Sequence, residues 1–327
     1  MGKRTILVLS FLFCLSFTLA SSEGIVHTLQ EVFLGDPLPI RLYTDPGLEE
    51  VTILVWEDEA KKGLLLEGKA FRVPDLRLTG MENSENEKEV ALWVGLLGIP
   101  SVAQPGSYRL EIRMGEVSQI VPVSVLGRQF IHEEIPLNRE MTKLRTEEDA
   151  RKISEMKELL ERISQFNPRS IFHVKPFRAP VEGFRRTSRF GDRRKYRYAD
   201  GGMDQAIHTG IDFATPRGTP VGASASGHVG FAGPRILTGN TVVLEHLPGV
   251  YSLYYHLDRI DVKEGAQVKE GERIGTSGAT GLVTGPHLHW EVRVGGIPVN
   301  PDAFLQTGPL DKFFQLRETA VDFKEGR

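Results

Sequence analysis

One stretch of this 327-residue chain breaks the spacing of its apolar residues, and that break divides the fold. Between about Arg145 and Phe166, Ile153, Met156, Leu159, Leu160, Ile163 and Phe166 recur every three or four positions, the period of an amphipathic helix. Before it, from about Val26 to Val125, short runs such as Ile40-Leu42, Val51-Val55, Tyr108-Ile112 and Ile120-Val125 alternate at period two between Gly, Pro and charged turns. After Pro180 the chain again becomes rich in Gly and short β runs, through to Pro301. The expectation is a mainly β protein: an N-terminal β-sandwich over 23–127, immunoglobulin-like in type, a linker helix over 139–168 and a C-terminal β domain over 180–305. Thr146 with Asp149 gives the helix a start and Asn167-Pro168 a stop, and the apolar stripe is expected to pack on one of the β regions. The tail from Asp302 onward, including 306–327, reads as a surface helix or a disordered segment.

The first residues stand outside this scheme. Lys3 and Arg4 precede an apolar run from Thr5 to Leu19 that ends in Ala20, Ser21 and Ser22. That is the pattern of a secretory signal peptide over 1–20, cut after Ala20, and it predicts an exported protein, periplasmic, wall-associated or extracellular. No later run reaches the roughly 20 apolar residues that a membrane helix needs. The single cysteine, Cys14, falls inside the signal, so the processed chain is expected to have no disulfide, thiolate ligand or cysteine nucleophile. Forty basic and 43 acidic residues leave a net charge of −3, which gives no reason to expect a nucleic-acid partner.

Any metal must therefore be held by His and carboxylates. In Gly285-Pro286-His287-Leu288-His289-Trp290-Glu291-Val292-Arg293, polar and apolar residues alternate, so strand geometry puts His287 and His289 on one face, roughly 7 Å apart. In His208-Thr209-Gly210-Ile211-Asp212 the His and Asp also share a face, and Gly210 between them has no side chain to crowd an ion. Two imidazoles and one carboxylate suit catalytic zinc and leave a fourth tetrahedral position for water. His256 ends the aromatic run Tyr254-Tyr255. With His287 it supplies the pair of non-ligand imidazoles that amide hydrolysis needs to move a proton and stabilise an oxyanion.

These segments occur in a recognisable order: His208-x-x-x-Asp212, Gly218-Thr219-Pro220-Val221 with Ala223 and Gly227, Gly239-Asn240, Tyr255-His256-Leu257, then Gly281 with Thr284-Gly285-Pro286-His287-Leu288-His289. The order resembles the lysostaphin-like, or LytM-type, zinc endopeptidases, murein hydrolases that cut peptide cross-bridges of peptidoglycan. The resemblance covers about Gly183 to Pro301. It implies one zinc ion held by His208, Asp212 and His289, with His256 and His287 as catalytic histidines. It also implies an antiparallel β-sandwich core of the duplicated, barrel-sandwich hybrid type, to which the similar units Gly218–Gly230 and Gly265–Gly275 correspond. A lipoyl-type carrier shares such turns but would carry a hairpin Lys and no aligned ligands. A non-catalytic activator or wall-binding protein, and a peptidase acting on proteins, remain as alternatives.

The other candidates take structural readings. Arg185, Arg186, Arg189, Arg193, Arg194, Lys195 and Arg197 crowd a loop before the first ligand and read as solvated, with anchoring of an anionic wall polymer as the functional alternative. Glu291 reads as a face-alternating structural carboxylate, with support of a ligand or service as a base as the functional alternative, and His228 and His246 read as structural strand residues. His27, His132 and His173 lie outside the domain, although His173 could cap the zinc in a latent form. The N-terminal domain is expected to be an accessory module that spaces the enzyme or binds the wall or a protein partner.

Overall fold

The computed structural model describes residues 16–21, 24–57, 63–73 and 91–306. Among them the chain is mainly β, with three helices, none of which is long and apolar enough to cross a membrane.

The N-terminal strands are β1 (Ser16–Ser21), β2 (Gly24–Leu29), β3 (Glu31–Phe33), β4 (Pro37–Thr44), β5 (Val51–Glu57), β6 (Leu64–Arg72), β7 (Ala91–Gly98), β8 (Gly106–Met114) and β9 (Val117–Leu126). They join in the order β1-β2-β4-β7-β6-β5-β8-β9-β3. Alternation drives the packing. In β9, Val121, Val123 and Val125 are buried while Ser118, Ile120 and Pro122 are exposed. Leu38, Ile40 and Leu42 of β4 share one apolar cluster with Ile53, Leu110, Ile112, Val121 and Val123 of the distant strands, so the ladder curves over on itself to enclose a core. The expected signal cleavage after Ala20 falls within β1, and residues 1–15 of that segment lie outside the described residues.

The expected single linker helix is two. After β10 (His132–Pro136) come α1 (Arg139–Thr146) and α2 (Ala150–Ile163). Asn138 caps α1 through the Met141 amide, and Asp149 caps α2 through the Arg151 amide. Thr146 therefore ends the first helix instead of starting the second, because Asp149 satisfies the free amides of the new helix from its own cap position. The helix also stops at Ile163, ahead of Asn167-Pro168. Its stripe is split: Leu159 and Ile163 pack on Val243, Leu253 and Tyr255, whereas Ile153, Met156 and Leu160 are exposed.

The C-terminal strands are β11 (Arg186–Ser188), β12 (Arg193–Arg197), β13 (Met203–Ile207), β14 (Ile211–Phe213), β15 (Pro220–Gly222), β16 (Gly227–Arg235), β17 (Gly239–Leu247), β18 (Val250–Ile260), β19 (Gln267–Val268), β20 (Arg273–Ser277), β21 (Leu288–Val294) and β22 (Ile297–Val299), followed by α3 (Asp302–Gln306). The main sheet runs β11-β14-β21-β18-β17-β16-β19. The two similar glycine-led units clasp each other, β15 pairing with β20 and β16 with β19. In β21, Leu288, Trp290 and Val292 are fully buried in the domain core, which turns the alternate residues His289 and Glu291 to the other face of the sheet.

Two further expectations are corrected. The basic segment is solvated only in part: Arg185, Arg186, Arg189 and Arg197 are exposed, but residues 193–207 form the hairpin β12–β13, with β10 added parallel to β12. Two of its arginines are held by specific partners, Arg193 over the Phe130 ring and Arg194 on a carboxylate. The segment after Asp302 begins with α3, whose Phe304 is fully buried against Phe177, while residues 307–327 lie outside the described residues. The N-terminal domain, expected as an accessory module that spaces or binds, packs directly on the C-terminal domain. Phe71, Leu92, Val94 and Leu96 belong to the same apolar cluster as Val292, Val294 and Val299. A Cβ on Gly98 would lie 2.9 Å from Val299 Cγ1, so β7 needs its glycine to approach β22.

Candidate metal centre

Strand pairing brings the first two sequence segments together. β14 pairs antiparallel with β21, and Asp212 lies directly opposite His289. His208 arrives from the turn that precedes β14. The three donor atoms converge: His208 Nε2 is 3.0 Å from Asp212 Oδ1 and 2.9 Å from His289 Nδ1, and His289 Nδ1 is 2.7 Å from Asp212 Oδ1. All three side chains are buried, and together they form a group able to hold a metal ion.

Outer partners fix which nitrogen each ring presents. His208 Nδ1 donates to the Arg189 carbonyl at 2.8 Å, leaving the Nε2 lone pair toward the group. His289 Nε2 donates to Glu291 Oε1 at 3.0 Å, so Nδ1 is the inward atom. Glu291 is thus an orienting partner of His289, not an isolated structural carboxylate, and it is itself held by Arg293 Nε at 2.8 Å and by the Thr209 hydroxyl. The alternation of β21 places it on the His289 face, but its bond to the outer nitrogen needed the rotamer that the packed strand imposes. Tyr255 stacks on His289 at 5.2 Å with the rings 2° apart. A Cβ on Gly210 would lie 2.2 Å from the Trp290 carbonyl and 2.9 Å from His289 Nε2. The glycine therefore protects the strand contact and the outer face of His289.

The charge balance fits a cation. Burial alone would lift the Asp212 carboxyl, yet its bonds to His208 and His289 hold it well below the usual range. Burial pushes the His208 imidazole down. Burial acts the same way on His289, but the Asp212 and Glu291 carboxylates outweigh it and raise that ring to about 9. Three inward donor atoms this close need shared positive charge, and a proton on His289 or a metal ion supplies it. The hard oxygen and two imidazoles, with no thiolate, match a zinc site's donor chemistry.

The other two predicted histidines stand beside this group. The His256 and His287 rings are 4.8 Å apart, His256 is 6.2 Å from His289, and His287 Nε2 is 3.8 Å from Asp212 Oδ1. His256 has φ +60°, the one positive-φ non-glycine among the described residues. It sits where the β17–β18 register shifts, with its amide bonded to the Thr238 carbonyl. That bulge turns the ring out of the strand's alternation toward the site. His256 Nδ1 donates to the Thr280 carbonyl and His287 Nδ1 to the Gly285 carbonyl, each at 2.8 Å. Burial first, and then the neighbouring imidazoles, push His256 down to about 3; burial also lowers His287. Both rings are neutral near pH 7, each with a lone pair on Nε2.

Two residues outside the expected site adjoin it. Arg194 Nη2 bonds Asp212 Oδ2 at 2.7 Å, and Glu133 of β10 lies 3.5 Å from Arg194 Nε. The density of arginines before the first ligand was the sequence signal for the first of these. Glu133 had none, since its position depends on the parallel β10–β12 pairing. His173 does not reach the centre. It packs on Phe177, and its Nδ1 accepts from the Ser226 amide.

Residues 206–301 match the model of peptidase family M23. The DD-carboxypeptidase/endopeptidase Mpg of Neisseria meningitidis serogroup B is 53% identical over 95 residues, 29% of this chain and 22% of that protein. The peptidoglycan DD-endopeptidase ShyA of Vibrio cholerae is 50% identical over 95 residues, again 29% and 22% of the two chains. This chain thus matches about a fifth of the length of these curated relatives. Among solved structures, the catalytic domain of a variant of the prophage-encoded M23 protein EnpA from Enterococcus faecalis is 38% identical, covering 38% of this chain and 95% of that one, with a TM-score of 0.33. A crystal structure described as a peptidase M23 from Pseudomonas aeruginosa covers 81% of this chain and 92% of its own, at 27% identity and a TM-score of 0.53. That likeness extends well beyond residues 206–301.

Proposed function

Because this chain belongs to peptidase family M23 through residues 206–301, we propose that it is a zinc endopeptidase that hydrolyses amide bonds in the peptide cross-links of peptidoglycan. The observation that carries the reading is the convergence of His208, Asp212 and His289 on one point with two neutral imidazoles beside it. In this reading the three residues hold the zinc. Zinc bound there supplies a Lewis acid that lowers the pKa of water and takes up oxyanion charge.

The chain's own residues then account for the proton. His256 and His287 commit Nδ1–H to carbonyl acceptors, so each offers Nε2 as a base. One accepts the proton that water loses as its oxygen joins the amide carbon. The resulting imidazolium returns that proton to the departing amine nitrogen, and the products are a carboxylate and an amine. Both rings are unprotonated in the free protein, so Nε2 is vacant when water must lose its proton. The carbonyls that hold Nδ1 fix each ring's tautomer before substrate arrives.

The expected signal peptide and the murein-directed relatives support export to the periplasm or wall. The N-terminal domain is read as an immunoglobulin-like sandwich. The hop of β3 to the edge beside β9 and the Tyr108 hydroxyl bond to the Gln104 carbonyl at 2.7 Å support that reading. Metal analysis of the purified protein, together with digestion of purified cell walls, glycine-rich peptides and a protein substrate, tests the function. Zinc at one per chain and release of soluble wall fragments are expected. A zinc-loaded, folded protein that releases none would favour an activator role, and cleavage confined to the protein substrate would reassign the target.

A further inference from the structure

We propose that Arg194 is a positioning residue that keeps Asp212 a one-oxygen ligand. The inference rests on the zinc reading for the identity of the ion but concerns a residue outside the ligand and proton-transfer sets. Asp212 divides its two oxygens between two directions. Oδ1 faces His208 Nε2 at 3.0 Å and His289 Nδ1 at 2.7 Å. Oδ2 accepts from Arg194 Nη2 at 2.7 Å, in a pair whose side chains are 14% and 7% exposed. A carboxylate without such a partner can turn to offer both oxygens to a cation. A second oxygen would take the coordination position that a hydrolytic site must leave open. The guanidinium is permanently charged and has rigid donor geometry, which suits it to hold one carboxylate oxygen away from the ion.

The surroundings of Arg194 are built to hold it still. Its strand β12 lies between β10 and β13, with Glu133 directly opposite Arg194 and Glu133 Oε2 3.5 Å from Nε. The neighbouring Arg193 is pinned over Phe130 and donates to the Ser101 carbonyl of the N-terminal domain at 2.7 Å. On the other side, Asp204 of β13 pairs with Arg145 of α1 at 2.6 Å, and the Ala199 amide donates to Thr142 Oγ1 at 3.0 Å. The orientation of a metal ligand in the C-terminal domain thereby depends on the N-terminal domain and the linker.

The test loads the full-length protein, Arg194→Gln and Arg194→Lys with cobalt(II), and records visible absorption and affinity by competition with a chelating dye. Arg194→Gln is expected to bind cobalt with visible bands of less than about half the wild-type intensity, the mark of a higher ligand number. Its metal affinity should change by about tenfold or more. Arg194→Lys, which keeps the charge and loses the fork, should move in the same direction by less. Wild-type bands in Arg194→Gln with affinity within about twofold would overturn the proposal. If that variant does not fold, Arg194→Lys decides by the same criterion, altered bands supporting the proposal and unchanged bands overturning it. A wild-type protein that takes up no cobalt or zinc overturns the metal reading itself, and this inference with it.

Discussion

The C-terminal domain buries histidines in two places, and the two differ in what their second nitrogen does. Behind the sheet, His246 is fully buried, with Nδ1 on the Ser226 carbonyl at 2.9 Å and Nε2 on the Ser252 hydroxyl at 2.7 Å. His173 beside it also engages both nitrogens, with the Ser226 amide and the Pro176 carbonyl. On the front, each of His208, His256 and His287 commits Nδ1 to a carbonyl and turns Nε2 into the site, while His289 commits Nε2 to Glu291 and turns Nδ1 in. His208, His256 and His289 are buried as His246 and His173 are, so burial does not mark function. What marks it is an inward nitrogen that faces only its neighbours in the cluster and no carbonyl or hydroxyl of the surrounding fold.

The largest effect that could break this comparison comes from exchanging one ring in each place. His289→Ala removes one of the three proposed ligands and is expected to abolish both metal binding and hydrolysis, measured by metal analysis and wall digestion. His246→Ala leaves the Ser226 carbonyl buried without its side-chain partner and the Ser252 hydroxyl with Tyr254 alone, and should cost roughly 2–4 kcal/mol of stability, read by urea unfolding. Its folded fraction should retain metal and turnover. Loss of metal in His246→Ala, or retained activity in His289→Ala, would erase the distinction between the two clusters. A smaller effect separates residues within the front. His287→Ala is expected to keep the metal and lose about 10²- to 10⁴-fold in turnover, the usual worth of a proton-transfer group. Loss of metal there would make His287 a ligand.

The same contrast explains what could be read before the structure. His208, Asp212 and His289 were legible as a set because strand periodicity and the His-x-x-x-Asp spacing put donors on common faces. His287 and His289 share a face and are both imidazoles, so strand periodicity had no means to rank them. The family resemblance ranked them, and the β14–β21 register sets Asp212 opposite His289. His256 was harder still, since a strand-end residue reaches the site here only through a positive-φ bulge. Arg194 was visible as one of seven clustered cations and misread as solvated, because the pairing of β12 with β10 joins segments about 60 residues apart in sequence. The helix break was missed for a local reason: three acidic residues in a row, Glu147-Glu148-Asp149, fit a continuing helix as well as a new cap. Nothing local in β7 announced that it would pack on β22 and turn an accessory domain into a buttress.

Acidification gives the smallest and most selective test of the two clusters. Burial lowers the His246 ring from an ordinary value of 6.5 to about 4, so the folded protein holds it neutral where the unfolded chain is protonated. A depressed folded value contributes stability that is fully present above pH 6.5 and is lost as pH falls from there through about 4. His208, His256 and His287 are also lowered by burial and act in the same direction. In the metal-free protein His289 acts oppositely. Its raised value, about 9, gives stability that is fully present below its unfolded value and lost as pH rises through 9. The slope of unfolding free energy against pH between 6.5 and 4 counts the protons taken up on unfolding. Replacing His246 with Gln should lower that count by about one, whatever the variant's overall stability, because the slope is independent of a constant offset. An unchanged slope would mean that the ring is protonated in the fold. The Ser252 hydroxyl and Ser226 carbonyl would then both be accepting from a cation, and the back cluster would no longer be the neutral, fully bonded counterpart of the front.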